Sequence, residues 1–239
     1  LKEIFQKRNY ILENVKLIII LGITSITVFN SIVYYSLNFT QVISGVLMIS
    51  TIPVMIIFFC WVFRIEKTNL YQISGVIFSL FGVLVIITKA DLEKLLNLNF
   101  NKGDLWMVAA MFSWAIYSAL LKKKKFELSS IAFLETIITT GLIFLIPAYI
   151  IEMMLGHKLN VHIPFLLTLS YVVVFPGLAS FFFWIKGISI IGSNRSGIFL
   201  HLMPIFSTIM AILIFNEKFM IYHLVGVILI ISGIILSSK

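Results

Sequence analysis

Polar and apolar positions in this chain fall into long blocks. Eight apolar stretches run approximately over 16–37, 41–63, 69–88, 104–121, 129–151, 164–186, 195–215 and 219–237, each closed by a short polar cluster. About 20 apolar residues in a helix cross a hydrocarbon core of about 30 Å, and lipid cannot hydrogen-bond an exposed backbone, so each block predicts a membrane-spanning helix. The expected fold is all-α, a polytopic transmembrane helical bundle. Most of the charge sits in the connections, as at 64–68, 122–127 and 216–218.

Composition agrees with the pattern. Hydrophobic residues make up 60% of the 239 positions and charged ones 12%, with a mean hydropathy of +1.09. Nothing is left over for a water-soluble domain. The net charge of +8 then reads as topology. With the N-terminal segment and the C-terminus in the cytoplasm, that side holds Lys2, Lys7, Arg8, Lys16, Arg64, Lys67, Lys122, Lys123, Lys124, Lys125, Lys186, Arg195 and Lys239. The other side holds only Lys89, Lys94, Lys102, Lys158 and Lys218. Basic residues favour the cytoplasmic side, which fixes this orientation. A nucleic-acid partner is not expected, because no water-facing module carries a basic surface.

One phrase occurs twice. Pro-x12-Glu-Lys-x3-Tyr-x3-Gly-Val-Ile-x4-Gly runs from Pro53 to Gly82 and again from Pro204 to Gly233, at an offset of 151 residues. The matched polar and special residues are Pro53/Pro204, Glu66/Glu217, Lys67/Lys218, Tyr71/Tyr222, Gly75/Gly226 and Gly82/Gly233, a set hard to obtain by chance. The matched helices are five spans apart, an odd number, so the copies face opposite ways across the bilayer. They are inverted repeats, an arrangement typical of secondary transporters, with the solute held near the midplane between them. Position 1 falls opposite Glu152, so two helices corresponding to 103–151 have no counterpart ahead of it. The expectation is eight helices of an inferred ten.

These phrases, with Gly103-Asp104-Leu105 leading into Trp114-Ala115-Ile116-Tyr117 and the stretch 188–196 leading to Pro204, resemble the EamA-type half-domains of the drug/metabolite transporter superfamily. In that family each half-domain ends with a helix bearing Pro, a turn bearing Gly-Glu, and a last helix with Gly spaced by seven. Here Ile65-Glu66 and Asn216-Glu217 occupy the turn, so Glu is kept and the preceding Gly is not. The resemblance covers essentially the whole chain, as three helices of a first half-domain in 1–90 and five of a second in 103–239. It implies a secondary transporter that exports small metabolites or amino acids across a bacterial inner membrane by alternating access.

The residues themselves suggest roles. Glu66 and Glu217 stand at the start of the following helix, where a carboxylate meets the positive end of the helix dipole. Gly75 and Gly82, like Gly226 and Gly233, lie two turns apart and let a neighbouring helix approach closely. Pro53 and Pro204 predict matching bends, read either as a hinge pair or as shared packing kinks. Pro176-Gly177 lies mid-span, where a broken helix marks either a binding site or a plain kink. Trp114 and Tyr117, at i and i+3 with Ser113 and Ser118 beside them, suit a cavity wall or a packed core. His201 and Asn30 are polar groups within spans that either face solute or bond between helices. Trp61, Tyr34, Tyr35, Trp184 and 181–183 read as interfacial belt and packing. Glu135, about 9 Å inside its span, is the candidate for proton coupling.

Other chemistries lack their residues. Cys60 is the only cysteine, the four histidines show no metal spacing, and no P-loop lysine motif is present. No cofactor or metal is expected. The expected partners are a small-molecule substrate and membrane lipid, with a homodimer left open. A non-transporting membrane scaffold with inherited repeats is the alternative; an intramembrane enzyme would need a second acid or nucleophile near Glu135.

Overall fold

The computed structural model describes residues 2–91, 93, 96, 101–123, 127–156 and 161–239. Lys94, Lys124, Lys125, Lys158 and His157 lie outside them. Two short helices, α1 (Lys2–Gln6) and α2 (Arg8–Glu13), precede eight longer ones. Helix α3 (Val15–Ser36) contains a π-helical segment, Ile23–Phe29. Helix α4 is broken into Val42–Ile49 and Ile52–Val62. Then come α5 (Leu70–Thr88), α6 (Lys102–Leu121) and α7 (Ser130–Met154). Helix α8 (Ile163–Ile191) carries a second π segment, Val173–Ala179. Helix α9 (Ser193–Phe215) is interrupted by the 3-10 turn Phe199–Leu202, and α10 spans Ile221–Ser237. No strand occurs among the described residues.

The eight expected spans are therefore eight helices. Seven are long and apolar enough to cross a bilayer. The eighth, α10, has 17 residues and lies along the whole of α5. Boundaries follow from local chemistry. Asn69 opens α5 with a reciprocal cap: its side chain accepts from Gln72 N at 2.8 Å, and the Gln72 side chain accepts from Asn69 N at 3.3 Å. Asn101 and Asp104 do the same for α6. Ser129 caps α7 through Ala132 N.

Helices α5 and α10 run antiparallel, and their glycines set the distance. A Cβ on Gly75 would lie 2.5 Å from the carbonyl oxygen of Gly233, and one on Gly82 would lie 2.7 Å from that of Gly226. The order is reversed along the two helices, so Glu66 and Glu217 lie at opposite ends of the bundle. Gly75 meets the image of Gly82, and Gly82 meets the image of Gly75. That reciprocity is what a two-fold relation between inverted repeats requires.

Two apolar clusters fill the interior. The larger gathers Leu21, Ile56, Met111, Tyr117, Ile137 and Ile188 from α3, α4, α6, α7 and α8 around the deeply buried helix α6. The smaller, centred on Val83, Ile86 and Ile230, seals α5 against α10 and the middle of α9.

Two expectations are corrected here, and the segment ahead of the first span is added to them. Glu66 does not serve the helix that follows it, which Asn69 already caps. Its carboxylate accepts from the backbone N–H groups of Ser193 at 2.9 Å and Asn194 at 3.0 Å, at the start of α9. The segment before α3 is helical and docked. The Glu3 carboxylate accepts from Ser129 N at 2.7 Å and Ser129 Oγ at 2.6 Å, and Lys7 donates to the Glu127 carbonyl. Finally, Phe181 and Trp184 belong to the aromatic interior, because α8 turns this face onto α6.

Candidate functional site

The interface between repeats is built on two interrupted helices. Pro53 stands in the first turn of Ile52–Val62 and Pro204 in the first turn of Met203–Phe215, each just after a break. Proline has no N–H and crowds the carbonyl four residues before it, so the chain leaves helical geometry there and frees backbone carbonyls. One of them belongs to Ser50, and His201 Nε2 donates to it at 2.8 Å. His201 Nδ1 lies 2.6 Å from Ser79 Oγ on α5. A carbonyl can only accept, so Nε2 carries the proton. In a neutral imidazole Nδ1 is then the acceptor, with the Ser79 hydroxyl as its donor. The imidazole is fully enclosed. It is a bond between helices, not a surface offered to solute, which corrects its place among the cavity residues.

Next to this join lies an aromatic cluster contributed by both repeats. Trp114 is 4.5 Å from Phe29, 5.2 Å from Tyr117, 5.2 Å from Phe181 and 5.6 Å from Trp184, between ring centroids. Phe29 comes from the first repeat; the others come from the second. Trp184 Nε1 donates to Ser118 Oγ at 3.1 Å, and Ser193 Oγ donates to the Ser118 carbonyl at 2.7 Å. The Tyr117 hydroxyl is buried and finds no partner among the described residues. An unsatisfied buried hydroxyl costs about 1–3 kcal/mol, and an apolar core built for stability alone has no use for one.

The remaining expected cavity residues are not gathered with these. Pro176 and Gly177 sit in the π segment of α8, on an exposed face, where a Cβ on Gly177 would meet only its own helix at Val172 O. Asn30 spends its amide on its own helix, donating to Ser25 O at 3.0 Å and Ile26 O at 3.1 Å. Both results share a cause that sequence reasoning missed. The π segments 23–29 and 173–179 occupy matching points of repeat-related helices, within one residue of the 151-residue offset. A π turn displaces carbonyls from their usual donors, and nearby hydroxyl and amide groups return to them. Ser25 Oγ donates to Leu21 O at 2.6 Å in α3, and Ser180 Oγ to Phe175 O at 3.0 Å in α8. The density of Thr24, Ser25, Thr27 and Asn30 in one helix and Pro176 in the other were the available signals.

Glu135 is half-buried on α7, on the second turn after Ser129. Gly75, Gly82, Gly226 and Gly233 are wholly engaged in the α5–α10 contact. No group of three or more metal-ligating side chains occurs among the described residues. Three grooves among the described residues are not lined by Trp114, Tyr117 or His201.

The same architecture recurs in known proteins. The family described as the EamA-like transporter family matches residues 3–88 and 101–239. The uncharacterized transporter YyaM of Bacillus subtilis is 22% identical over 232 residues, covering 97% of this chain and 76% of its own. The uncharacterized inner membrane transporter YicL of Salmonella typhimurium is 22% identical over 187 residues, covering 78% of this chain and 60% of its own. A solved crystal structure superposes with a TM-score of 0.71 at 15% identity, over 91% of this chain and 74% of that one, which is a likeness of fold. With inverted repeats meeting at Ser50 and His201 and the family match extending over both, the chain belongs to the EamA-like transporter family, a family of membrane transporters.

Proposed function

We propose that this protein is a secondary transporter that exports small metabolites or amino acids across a bacterial inner membrane by alternating access. Its half-domains are 1–90 and 103–239, and both chain ends face the cytoplasm. The buried hydroxyl of Tyr117, without a partner among the described residues and set among rings from both repeats, carries the reading. Parting the repeats along Phe29 and Trp114 exposes that hydroxyl to water and solute, so its cost in the closed state becomes a gain in the open one. Pro53 and Pro204, at the matched breaks, are the hinge pair, and the Ser50–His201 bond lies where the halves turn on each other. Trp114 and Tyr117 form the cavity wall of the open state. The names of the relatives support transport, and that of YicL supports the inner membrane.

The test is Tyr117→Phe in the full-length protein reconstituted in liposomes. Removing the hydroxyl is expected to leave the melting temperature unchanged or raised while lowering flux of the exported solute, identified by comparing metabolites of cells with and without the gene. Unchanged flux would remove Tyr117 from the mechanism. In this reading Glu135 couples transport to protons, and Glu135→Gln is expected to flatten the pH dependence of flux. The scaffold alternative has the closed packing of Tyr117 and His201 in its favour. It gains if no solute differs between the two metabolite profiles.

A further inference from the structure

The described residues form two grooves that are images of one another. The larger, about 1270 Å³ and open at the side, has a wall of Val54, Ile57, Phe58, Trp61 and Val62 on α4. The smaller, about 300 Å³, has Ile205, Thr208, Ile209, Ile212 and Leu213 on α9. Each wall residue of the first becomes one of the second on adding 151. The wall lies away from the core face of α4, which Ile52, Ile56 and Cys60 bury, and Trp61 is 69% exposed. The wall positions are thus duplicated at the two ends of the bundle, though the volume is not. Nor is the charge at the mouth.

The α4 groove opens between Arg64 and Lys67; at the α9 groove the position of Arg64 is taken by Phe215. Glu66 also lines the first mouth, but its carboxylate is held by Ser193 N and Asn194 N at the start of α9 and so is turned to another task. Arg64 occupies a costly position. It has φ +54, the left-handed residue after the helix end, with Arg64 N donating to Trp61 O at 3.1 Å and Ile65 N to Cys60 O at 2.9 Å. Glycine is the usual residue in this motif because it has no Cβ to crowd the carbonyl. An arginine there, at the mouth of an apolar groove on a bilayer-facing helix, is a cation placed against local backbone preference.

We propose that the α4 groove is a binding site for an anionic phospholipid, its acyl chain against Phe58 and Trp61 and its phosphate between Arg64 and Lys67. Aliphatic chain, aromatic wall and headgroup-level cations match a lipid by length and charge together. A soluble phosphate ester shares the headgroup chemistry but leaves the wall empty. The α9 groove, lined by Phe219 and Val227 beside its α9 wall and by no charged side chain, takes lipid without regard to headgroup charge. None of this depends on transport.

Native mass spectrometry of the full-length protein, delipidated and offered equal phosphatidylglycerol and phosphatidylcholine, tests it. Wild type is expected to retain phosphatidylglycerol preferentially. Each cation near an anionic headgroup favours binding about fivefold, so Arg64→Gly with Lys67→Gln is expected to lower that preference about thirtyfold. Arg64→Gly also removes the left-handed penalty, so its melting temperature is expected to equal or exceed that of wild type. Should the double variant fail to fold, Lys67→Gln alone is expected to lower the preference about fivefold. Trp61→Ala is expected to weaken both lipids and leave their ratio unchanged. Equal retention of the two lipids by wild type would overturn the proposal. So would a preference surviving the loss of both cations, glycerol phosphate binding as well as the lipid, or the same loss of preference from Lys218→Gln.

Discussion

His201 Nε2 lies 2.8 Å from the carbonyl oxygen of Ser50, the residue that holds its own place in the other repeat. In a structure built from two inverted copies, a residue that touches its own image lies on the axis relating them. Here the two partners do different work. A backbone break supplies an acceptor on one side, and a side chain supplies the donor on the other.

His201→Leu is expected to lower stability by about 1–3 kcal/mol, because it leaves the buried Ser50 carbonyl without its donor. Ser79 is spared, since its hydroxyl also reaches Val76 O at 3.0 Å. His201→Gln keeps a donor and is expected to recover part of the loss. Thermal unfolding of the detergent-solubilised protein measures both; equal melting temperatures for Leu and wild type would show that the bond contributes nothing.

Gly75→Ala and Gly233→Ala are each expected to destabilise strongly, by about 1–3 kcal/mol or more, through overpacking against backbone that cannot retreat. Gly187→Ala is the control. Its Cβ would meet nothing closer than Ser196 Oγ at 3.8 Å, and helix propensity favours it slightly. The contrast is read in melting temperature and in the yield of folded protein.

Glu66→Ala is expected to cost about 1–2 kcal/mol, the loss of a charged cap on α9, whereas Glu217→Ala is expected to change stability little. Glu217 is exposed and has no described role at a helix start. Gly192→Ala is expected to be harmful twice over. The residue has φ +89, and its Cβ would lie 2.5 Å from Glu66 Oε1. Unequal effects of the two glutamates, scored by thermal unfolding, would show that the repeated acid acts at only one end.

Hydrogen bonds from the Ser129 hydroxyl and backbone N–H hold the Glu3 carboxyl below the ordinary carboxylate range. A group whose folded value is depressed contributes stability above its unfolded value and loses it as pH falls through the folded one. The docking of α1 on the start of α7 is therefore expected to be complete at neutral pH and to loosen only below the normal range for glutamate. Hydrogen exchange of the Ser129 amide across an acid titration follows the release, and Glu3→Gln is expected to remove its pH dependence.

Much of the fold was legible because lipid is an undemanding solvent to read. Each apolar block had to be a helix, and the fixed 151-residue offset together with an odd number of intervening spans implied inversion before any contact was known. The duplicated Gly75, Gly82, Gly226 and Gly233 marked a close helix pair for the same reason: only glycine permits backbone contact at that spacing. The site was read less well. Apolar composition hides which face of a span is inward, so Phe181 and Trp184 passed as interfacial belt and packing, and Asn30 and His201 stayed open between facing solute and bonding between helices.

The sequence alone determined the elements, their number, their inverted relation and the residues spaced for close approach, since period and block length depend only on local geometry and on solvent. Tertiary structure decided which acid caps which helix, where π segments reroute backbone carbonyls, that His201 bonds to its own image, and that one groove of a symmetric pair carries cations. Those outcomes depend on distances between residues far apart in the chain, and a linear pattern of polar and apolar positions contains no such distances.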